Sequence, residues 1–151
     1  MKECNTKEDP VRPELDNTFR RSYGRKIFGV KYKREIHAVM CFAYTNEIPK
    51  SVEELDIMSQ DAHLQSTLRG QNVGKIAIAY TVWSKKKGGG KLIVKEVFNK
   101  IKKSNHLNRL VTLSPLTDMA YKFHIKNGAK LISVNETNQN FEYKVIKNKK
   151  Y

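Results

Sequence analysis

Short apolar runs along the chain follow the pattern of β-strands. The runs at 25–33 and 35–45 are rich in β-branched and aromatic residues and almost adjacent, which predicts a hairpin. In 35–45, apolar residues occupy both alternating sets of positions, so we expect a central strand that is covered on both faces. Further strands are predicted at 75–83, 108–114, 130–135 and 140–147.

Two segments between these runs have features of helices. At 48–74, Ser51 followed by Glu54 forms a capping box, which predicts a short helix, and the polar remainder of the segment predicts a loop. At 91–104, apolar residues recur at i, i+4 and i+8 from Ile93 while lysines fall on the other side, which predicts an amphipathic helix.

A third helix is predicted at 116–129, with Thr117 or Ser114 as its cap and Asn127-Gly128 as its left-handed end. Helices and strands therefore alternate through most of the chain. This order predicts an α/β fold with a single mixed, mostly antiparallel sheet flanked by helices.

The length of 151 residues suits one domain. We expect a polar N-terminal arm at 1–24, a folded domain at 25–146 and a basic tail at 147–151. The chain has two cysteines, neither in a CxxC motif, and four scattered histidines, so we expect no disulfide framework and no metal site. With no signal core and no apolar run long enough for a membrane span, the sequence predicts a cytoplasmic protein that does not bind membranes.

The formal net charge of +14 narrows the range of partners. Such a charge attracts polyanions, which suggests nucleic acid, an acidic protein surface or a phosphate-rich cofactor. Lysine is much commoner than arginine, however, and specific phosphate clamps favour arginine. Solubility alone therefore remains an alternative reason for many of the lysines.

The segment SKKKGGGK, at 84–91, connects a predicted strand to a predicted helix. Glycines allow backbone N–H groups to approach an anion, and a helix N-terminus adds unpaired donors, so this junction suits a phosphate group. Its spacing fits neither the Walker A motif nor the dinucleotide fingerprint G-x-G-x-x-G. The sequence therefore gives no support to ATP hydrolysis or hydride transfer.

The KKKGGG stretch at 85–90 resembles the pyrophosphate-binding loop Q/R-x-x-G-x-G/A of the GNAT acyltransferase superfamily, with lysine in the first position. The segment at 120–131 resembles the second GNAT signature, A-x-x-L/F-Y-x-K/R-x-G-F. The resemblance covers roughly 75–145. More narrowly, the chain resembles small GNAT-like proteins of tailed phages, which implies the host cytoplasm, and 111–115 resembles part of the GNAT-fold region of malonyl-CoA decarboxylases.

This resemblance implies a GNAT-like fold that binds acetyl-CoA or another acyl-CoA as co-substrate. Backbone from residue 80 to 83 would lie beside the pantetheine arm, where a β-bulge would polarise the thioester carbonyl. The diphosphate would be held by the loop and the start of the following helix. The implied cofactor-binding residues are Thr81, Val82, Trp83, Lys85, Lys86, Lys87, Gly88, Gly89, Gly90 and Lys91, although core packing remains an alternative for Trp83.

The same resemblance implies three candidate catalytic residues. His124 occupies the place of the tyrosine that protonates the leaving thiolate, and a pKa near neutrality suits that role, while a half-exposed helix histidine is the alternative. Tyr121 is a second candidate acid or else a core residue. Ser114 would be a nucleophile or an anion contact in a decarboxylase-like reaction, or only a helix cap. No general base can be named.

The leading hypothesis is an acyl-CoA-dependent N-acyltransferase, with acetyl as the expected acyl group, in which an unidentified amine attacks the thioester directly. The first alternative is a non-catalytic basic module with the same fold that binds nucleic acid or a host protein. The second alternative is a decarboxylase or hydrolase of acyl-CoA.

Overall fold

The computed structural model describes Arg12 and residues 14–70, 74–85 and 87–145. Within them the chain forms four helices and seven strands. In chain order these are α1 (Asn17–Arg21), β1 (Lys26–Tyr32), β2 (Glu35–Thr45), α2 (Val52–Arg69), β3 (Ile76–Ser84), α3 (Gly89–Lys103), β4 (Arg109–Thr112), β5 (Ser114–Pro115), α4 (Asp118–Lys126), β6 (Lys130–Val134) and β7 (Asn138–Tyr143).

All seven strands belong to one sheet in the order β1-β2-β3-β4-β7-β5, and β6 pairs with β7. The β3–β4 pair is parallel, and every other pair of the described strands is antiparallel. Helix α3 packs on β1, β2, β3 and β4, while α2 packs on β2. Each face of the sheet carries its own apolar cluster. The prediction of a mixed, mostly antiparallel α/β sheet flanked by helices is confirmed.

The predicted hairpin is confirmed as β1 and β2, which are connected by a two-residue turn. Both turn residues, Lys33 and Arg34, adopt left-handed φ angles, as such short turns require. Strand β2 lies between β1 and β3, and its middle residues are buried on both faces. The expectation of a central strand is therefore correct.

The short helix and loop predicted at 48–74 are wrong, because α2 continues to Arg69. Ser51 does cap its N-terminus, where it accepts a hydrogen bond from Glu54 N at 3.1 Å. The face that packs on the sheet includes small and polar residues such as Ser59 and Ala62, while Ile57 and Leu64 are exposed. Apolar residues thus occur on opposite sides of α2, and no single stripe marks it in the sequence.

The predicted polar N-terminal arm contains the helix α1. Asp16 caps α1 and accepts a hydrogen bond from Phe19 N at 2.9 Å. The Arg20 guanidinium is fully buried and donates to the carbonyl oxygens of Leu15 and Arg12. Residues 1–11 and the predicted tail at 147–151 lie outside the described residues.

The two later helices follow the prediction closely, with Thr117 rather than Ser114 as the cap of α4. The predicted strand at 108–114 is divided into β4 and β5 at Leu113, and Ser114 pairs with Gln139 of β7. Across the part of the chain described by the structure, no helix combines the length and apolar character needed to span a bilayer.

Candidate functional site

The sheet opens where β3 and β4 separate. Their parallel pairing runs from Ile76 to Ala79 on β3, and the hydrogen bond from Leu113 N to Ala79 O, at 2.9 Å, marks its end. Beyond it, β3 continues to Ser84 beside β2, whereas the chain from Ser114 pairs with β7. The two strands therefore diverge and leave a gap in the sheet.

Strand β3 has a β-bulge at this point. Cys41 pairs with Thr81 and Phe42 pairs with Ala79, so Tyr80 is an extra residue on β3. The rings of Tyr80 and Phe19 are in contact, and the Thr81 hydroxyl lies 3.4 Å from the Arg20 guanidinium, so both side chains point to the α1 side of the sheet. The bulge lies beside the opening, in the segment where the sequence predicted it.

The gap forms a cleft of about 460 Å³ between β3, the 113–117 segment and α4. Its walls are mainly apolar, and no carboxylate is among them. No set of three or more histidine, cysteine or acidic side chains in the described ranges is arranged to hold a metal ion. The cleft is lined by Ala79, Tyr80, Val82, Trp83, Ser84, Leu113, Ser114, Pro115, Thr117, Met119, Ala120, Phe123 and His124.

The three glycines at the start of α3 have different structural roles. Gly88 caps the helix with φ +82°, a left-handed angle that favours glycine. A Cβ on Gly89 would lie 2.5 Å from the carbonyl oxygen of His37 on β2. A Cβ on Gly90 would lie 2.5 Å from the Phe123 ring, which lines the cleft. The first turn of α3 is therefore pressed against β2 and directed at the cleft.

The first turn of α3 has no side-chain cap. Gly90 N donates to Ser84 Oγ at 3.2 Å, while the cap residue Gly88 has no side chain to accept from the other amides. No acidic residue occurs in the turn. An anion at this end of the cleft would meet the positive end of the helix dipole.

The predicted cofactor-binding residues lie at different places around this site. Val82 and Trp83 line the cleft, but Thr81 is buried and is not among the residues that line it. The Lys85 ammonium lies 5.3 Å from the centroid of the Trp83 ring. Lys87 and Lys91 are exposed, at the turn and on α3, and Lys86 lies outside the described residues.

His124 lines the cleft but is only 4% exposed, so its reading as a half-exposed histidine is wrong. Its Nδ1 lies 2.7 Å from the Tyr143 hydroxyl oxygen, and its ring stacks on Phe141. Burial lowers the pKa of His124 to about 4, so the ring is neutral at pH 7. The premise of a near-neutral pKa, which motivated an imidazolium acid, is therefore not met.

The other two candidate catalytic residues differ in their position. Tyr121 is 42% exposed and is not among the residues that line the cleft; its ring lies 6.0 Å from that of Phe141. Ser114 is buried and lines the cleft, with its Oγ 2.8 Å from the Thr112 hydroxyl oxygen. The structure thus brings Ser114 and His124 to one cleft and leaves Tyr121 outside its walls.

Sequence reasoning missed Arg12, whose guanidinium bridges the two diverging strands. Its Nε donates to Tyr80 O at 3.3 Å, and one terminal nitrogen donates to Leu113 O at 3.1 Å and to Asn138 Oδ1 at 2.6 Å. Both carbonyls belong to cleft residues, so Arg12 lies directly behind the cleft. Nothing in a proline-flanked polar leader predicts this position.

Sequence reasoning also missed three consecutive buried carboxamides on β7, at 138–140. Gln139 Nε2 donates to Pro115 O at 2.9 Å and to Thr117 O at 3.3 Å, which fixes one wall of the cleft. Asn140 Nδ2 donates to Thr112 O at 2.9 Å and to Pro49 O at 3.0 Å. The run NQN beside a predicted strand was the available clue, because buried amides require specific partners.

A second cavity, here called the lysine groove, lies between α3 and the end of α4 and measures about 530 Å³. It is separated from the cleft by the hydrogen-bonded pair His124 and Tyr143, because His124 lines the cleft and Tyr143 lines the groove. The residues that line the groove are Lys91, Val94, Lys95, Phe98, Lys126, Asn127, Gly128, Tyr143 and Lys144.

No protein-family model and no curated protein sequence matches the chain. Similar solved structures do exist. The GphF GNAT-like decarboxylase in complex with isobutyryl-CoA is 8% identical, with a TM-score of 0.61 over 80% of this chain and 78% of that one. The loading GNATL domain of CurA from Lyngbya majuscula is 10% identical, with a TM-score of 0.57 over 79% and 76%.

The Campylobacter jejuni N-acetyltransferase PseH in complex with acetyl coenzyme A is 16% identical, with a TM-score of 0.53 over 80% of this chain and 68% of that one. At such identities the likeness concerns the fold alone. The chain therefore has the GNAT fold, as its motifs predicted.

Proposed function

We propose that the chain binds an acyl-CoA in the cleft and transfers the acyl group to an amine. The observation that carries this proposal is the junction of the cleft with the glycine turn of α3. An acyl-CoA has an apolar arm with a reactive thioester at one end and a diphosphate at the other. The cleft supplies a mainly apolar channel, and the turn at its end supplies positive charge and backbone donors.

The diphosphate is assigned to the turn between Ser84 and Lys91. Helix N-termini bind anions through unpaired amides and the helix dipole, and glycine allows close approach. Lys85 and Lys87 add two ammonium groups on the loop. The compact packing of Gly89 against His37 holds these donors in a fixed orientation.

The reactive end of the acyl-CoA is assigned to the region of the bulge on β3. Backbone amides in an irregular strand can polarise a thioester carbonyl, as in an oxyanion hole. In the reaction, the amine nitrogen bonds to the carbonyl carbon, the C–S bond breaks, and the thiolate takes up a proton from water. With its proton on Nε2, His124 accepts the Tyr143 hydroxyl at Nδ1 and donates a hydrogen bond to the leaving sulfur.

The amine loses a proton in this scheme, and no carboxylate lines the cleft to accept it. We assign that proton to water, because His124 is a weak base with its pKa lowered to about 4 by burial. An acceptor that already presents a neutral amine needs no stronger base. The rate is therefore expected to rise with pH as the acceptor amine deprotonates.

One observation favours a second candidate, the decarboxylation or hydrolysis of an acyl thioester. Ser114 and His124 line the same cleft without a carboxylate base beside them. Neither reaction needs an amine acceptor, so free thiol would form with the acyl-CoA alone. Ser114→Ala separates the candidates, because direct transfer leaves its rate within about threefold, whereas a nucleophilic role loses about 100-fold or more.

Trp83 provides a direct binding assay, because it is the single tryptophan of the chain and lines the cleft. Acetyl-CoA, malonyl-CoA and free coenzyme A are each titrated against its fluorescence. The variant Lys85→Glu/Lys87→Glu reverses two loop charges and is expected to weaken binding by about tenfold or more. The control Lys50→Glu/Lys75→Glu makes the same charge change at exposed positions away from the cleft.

The proposal is supported if the wild type binds, the loop variant binds more weakly, and the control binds as the wild type does. A fluorescence response that is absent for all three ligands rejects it. The non-catalytic basic module is favoured if the chain does not respond to coenzyme A but binds single-stranded nucleic acid with an affinity that falls steeply with salt. The likeness to phage-encoded proteins, the cytoplasmic location and the acetyl group remain predictions.

A further inference from the structure

We infer that the acceptor of the proposed reaction is an aromatic amine, a weakly basic amine that is neutral at pH 7. The inference rests on the proposed function and names the class of its acceptor. The amine has to reach the thioester within the cleft, so the residues that line the cleft form its surroundings. Their electrostatics, their basicity and their aromatic character each favour a flat, uncharged amine.

The electrostatic environment of the cleft disfavours a cationic acceptor. The ionisable side chains among the lining residues are Tyr80 and His124, and burial keeps both neutral at pH 7, because it raises the pKa of the tyrosine and lowers that of the histidine. The Lys85 ammonium lies 5.3 Å from the centroid of the Trp83 ring, which forms part of the wall, and the chain carries a net charge of +14. An ammonium ion that enters the cleft therefore loses hydration and gains no counter-charge from the lining residues.

The basicity of the cleft leads to the same class of acceptor. Direct transfer requires a neutral amine, because an ammonium ion has no lone pair with which to attack. An alkylamine with a pKa like that of a lysine side chain, about 10.4, is neutral in only about one molecule in 2,500 at pH 7. The imidazole of His124 is too weak a base to remove the extra proton efficiently. An aromatic amine is already neutral at pH 7, so with such an acceptor the expected rise of the rate with pH is complete below pH 7.

The walls of the cleft suit an aromatic ring. Trp83 of β3 and Phe123 of α4 both line it, and aromatic side chains pack well against a planar ligand. Met119 also lines the cleft and is 81% exposed, so an apolar side chain lies at its entrance. An aryl group can therefore make apolar contacts in this cleft that a charged alkylamine cannot use.

The test compares para-toluidine with benzylamine, which are isomers of the same size. At pH 7 the first is neutral and the second is an ammonium ion. Ligand-observed NMR titration of the wild type is expected to show at least about tenfold tighter binding of para-toluidine at pH 7. Between pH 7 and pH 8 the affinity for benzylamine is expected to rise by about tenfold with its neutral fraction, while that for para-toluidine stays constant.

A charge variant tests the electrostatic part of the inference. Met119→Glu introduces a carboxylate at the entrance of the cleft, at an exposed position where the fold tolerates the change. This variant is expected to bind benzylamine about threefold more tightly at pH 7 than the wild type does. Met119→Gln has the same size without the charge and is expected to keep the wild-type order of preference. If Met119→Glu binds benzylamine no better than Met119→Gln, charge does not exclude the alkylamine and the inference is overturned.

A transfer assay with acetyl-CoA at pH 7 separates the inference from the function on which it rests. Preferential acetylation of para-toluidine upholds both. If benzylamine is acetylated as readily as para-toluidine, the acceptor class is refuted and the proposed function survives. If para-toluidine binds with the expected preference but neither amine is acetylated, the selectivity of the cleft is upheld and the proposed function fails. If neither amine binds, or if benzylamine binds as tightly as para-toluidine at pH 7, the inference is refuted.

Discussion

Replacement of Gly89 by alanine tests whether the glycine turn is held by its contact with β2. The new Cβ would lie 2.5 Å from the carbonyl oxygen of His37 and 3.0 Å from its carbonyl carbon. That oxygen already accepts a hydrogen bond from Lys85 N at 2.8 Å, so the backbone on both sides is constrained. Relief of the clash therefore requires α3 to move away from the sheet.

The expected loss combines two opposing effects. Overpacking in a well-packed region costs about 1–3 kcal/mol, and stretching the Lys85–His37 hydrogen bond costs about 1 kcal/mol. Alanine in place of glycine in a helix recovers up to about 1 kcal/mol, and less at its first residue. We expect Gly89→Ala to lower the free energy of unfolding by about 2 kcal/mol.

Urea denaturation of wild type and variant at pH 7 measures this difference. Gly88→Ala is the matched control, because a Cβ there meets no atom within 4 Å. Its cost comes only from placing alanine at the left-handed φ of +82°. The control is expected to cost about 1 kcal/mol. If Gly89→Ala is as stable as the wild type, or no less stable than Gly88→Ala, the contact with His37 does not hold the turn.

Three further predictions concern the buried polar groups. Burial lowers the pKa of His124 to about 4, so as pH falls the unfolded chain binds a proton at this histidine before the folded chain does. The free energy of unfolding, measured with urea, is therefore expected to fall by about 3 kcal/mol between about pH 6.5 and pH 4. His124→Gln is expected to lose less stability than the wild type over this range. The buried guanidinium of Arg25 joins Asp56, Ser59 and Ser22. Arg25→Ala is expected to lower the free energy of unfolding by about 3 kcal/mol, and Asp56→Asn by about 1 kcal/mol. Equal losses for the two variants would contradict a role for the whole network. The Tyr80 hydroxyl is buried, with the weakly polar Cys41 thiol beside it in place of a strong hydrogen-bond partner. Tyr80→Phe is therefore expected to raise the melting temperature, with a gain of about 1 kcal/mol, and a lower melting temperature would show that the contact with the thiol stabilises the fold.

The sequence was sufficient for most of the sheet because its strands are apolar on one or both faces. Strand β3 and helix α3 follow directly from their side-chain periods and from the glycines between them. The full length of helix α2 was not predicted, because a helix whose buried residues are Leu55, Ser59 and Ala62 shows no apolar stripe of the usual width. The periodicity of a segment reports how apolar its buried face is, and that face is weakly apolar in α2.

The cleft was predicted in its location but not in its electrostatics. The bulge on β3 and the place of His124 beside the cleft were expected from the resemblance to the GNAT signatures, and both are found. Its burial against Phe141 and Tyr143 depends on residues almost twenty positions away, so the lowered pKa could not be read from local sequence. The bridge made by Arg12 spans even greater distances along the chain.

The carboxamides of β7 determine when the cleft can be completed during synthesis of the chain. This strand emerges from the ribosome after the elements that it ties together, including the 115–117 segment and the partners of Arg12. Until Gln139 is made, the 115–117 segment lacks the two hydrogen bonds from its side chain, and β4 lacks its neighbour on that edge of the sheet. A nascent chain halted before β7 therefore has no finished cleft, and the proposed acyl-CoA is expected to bind only after translation has passed that strand.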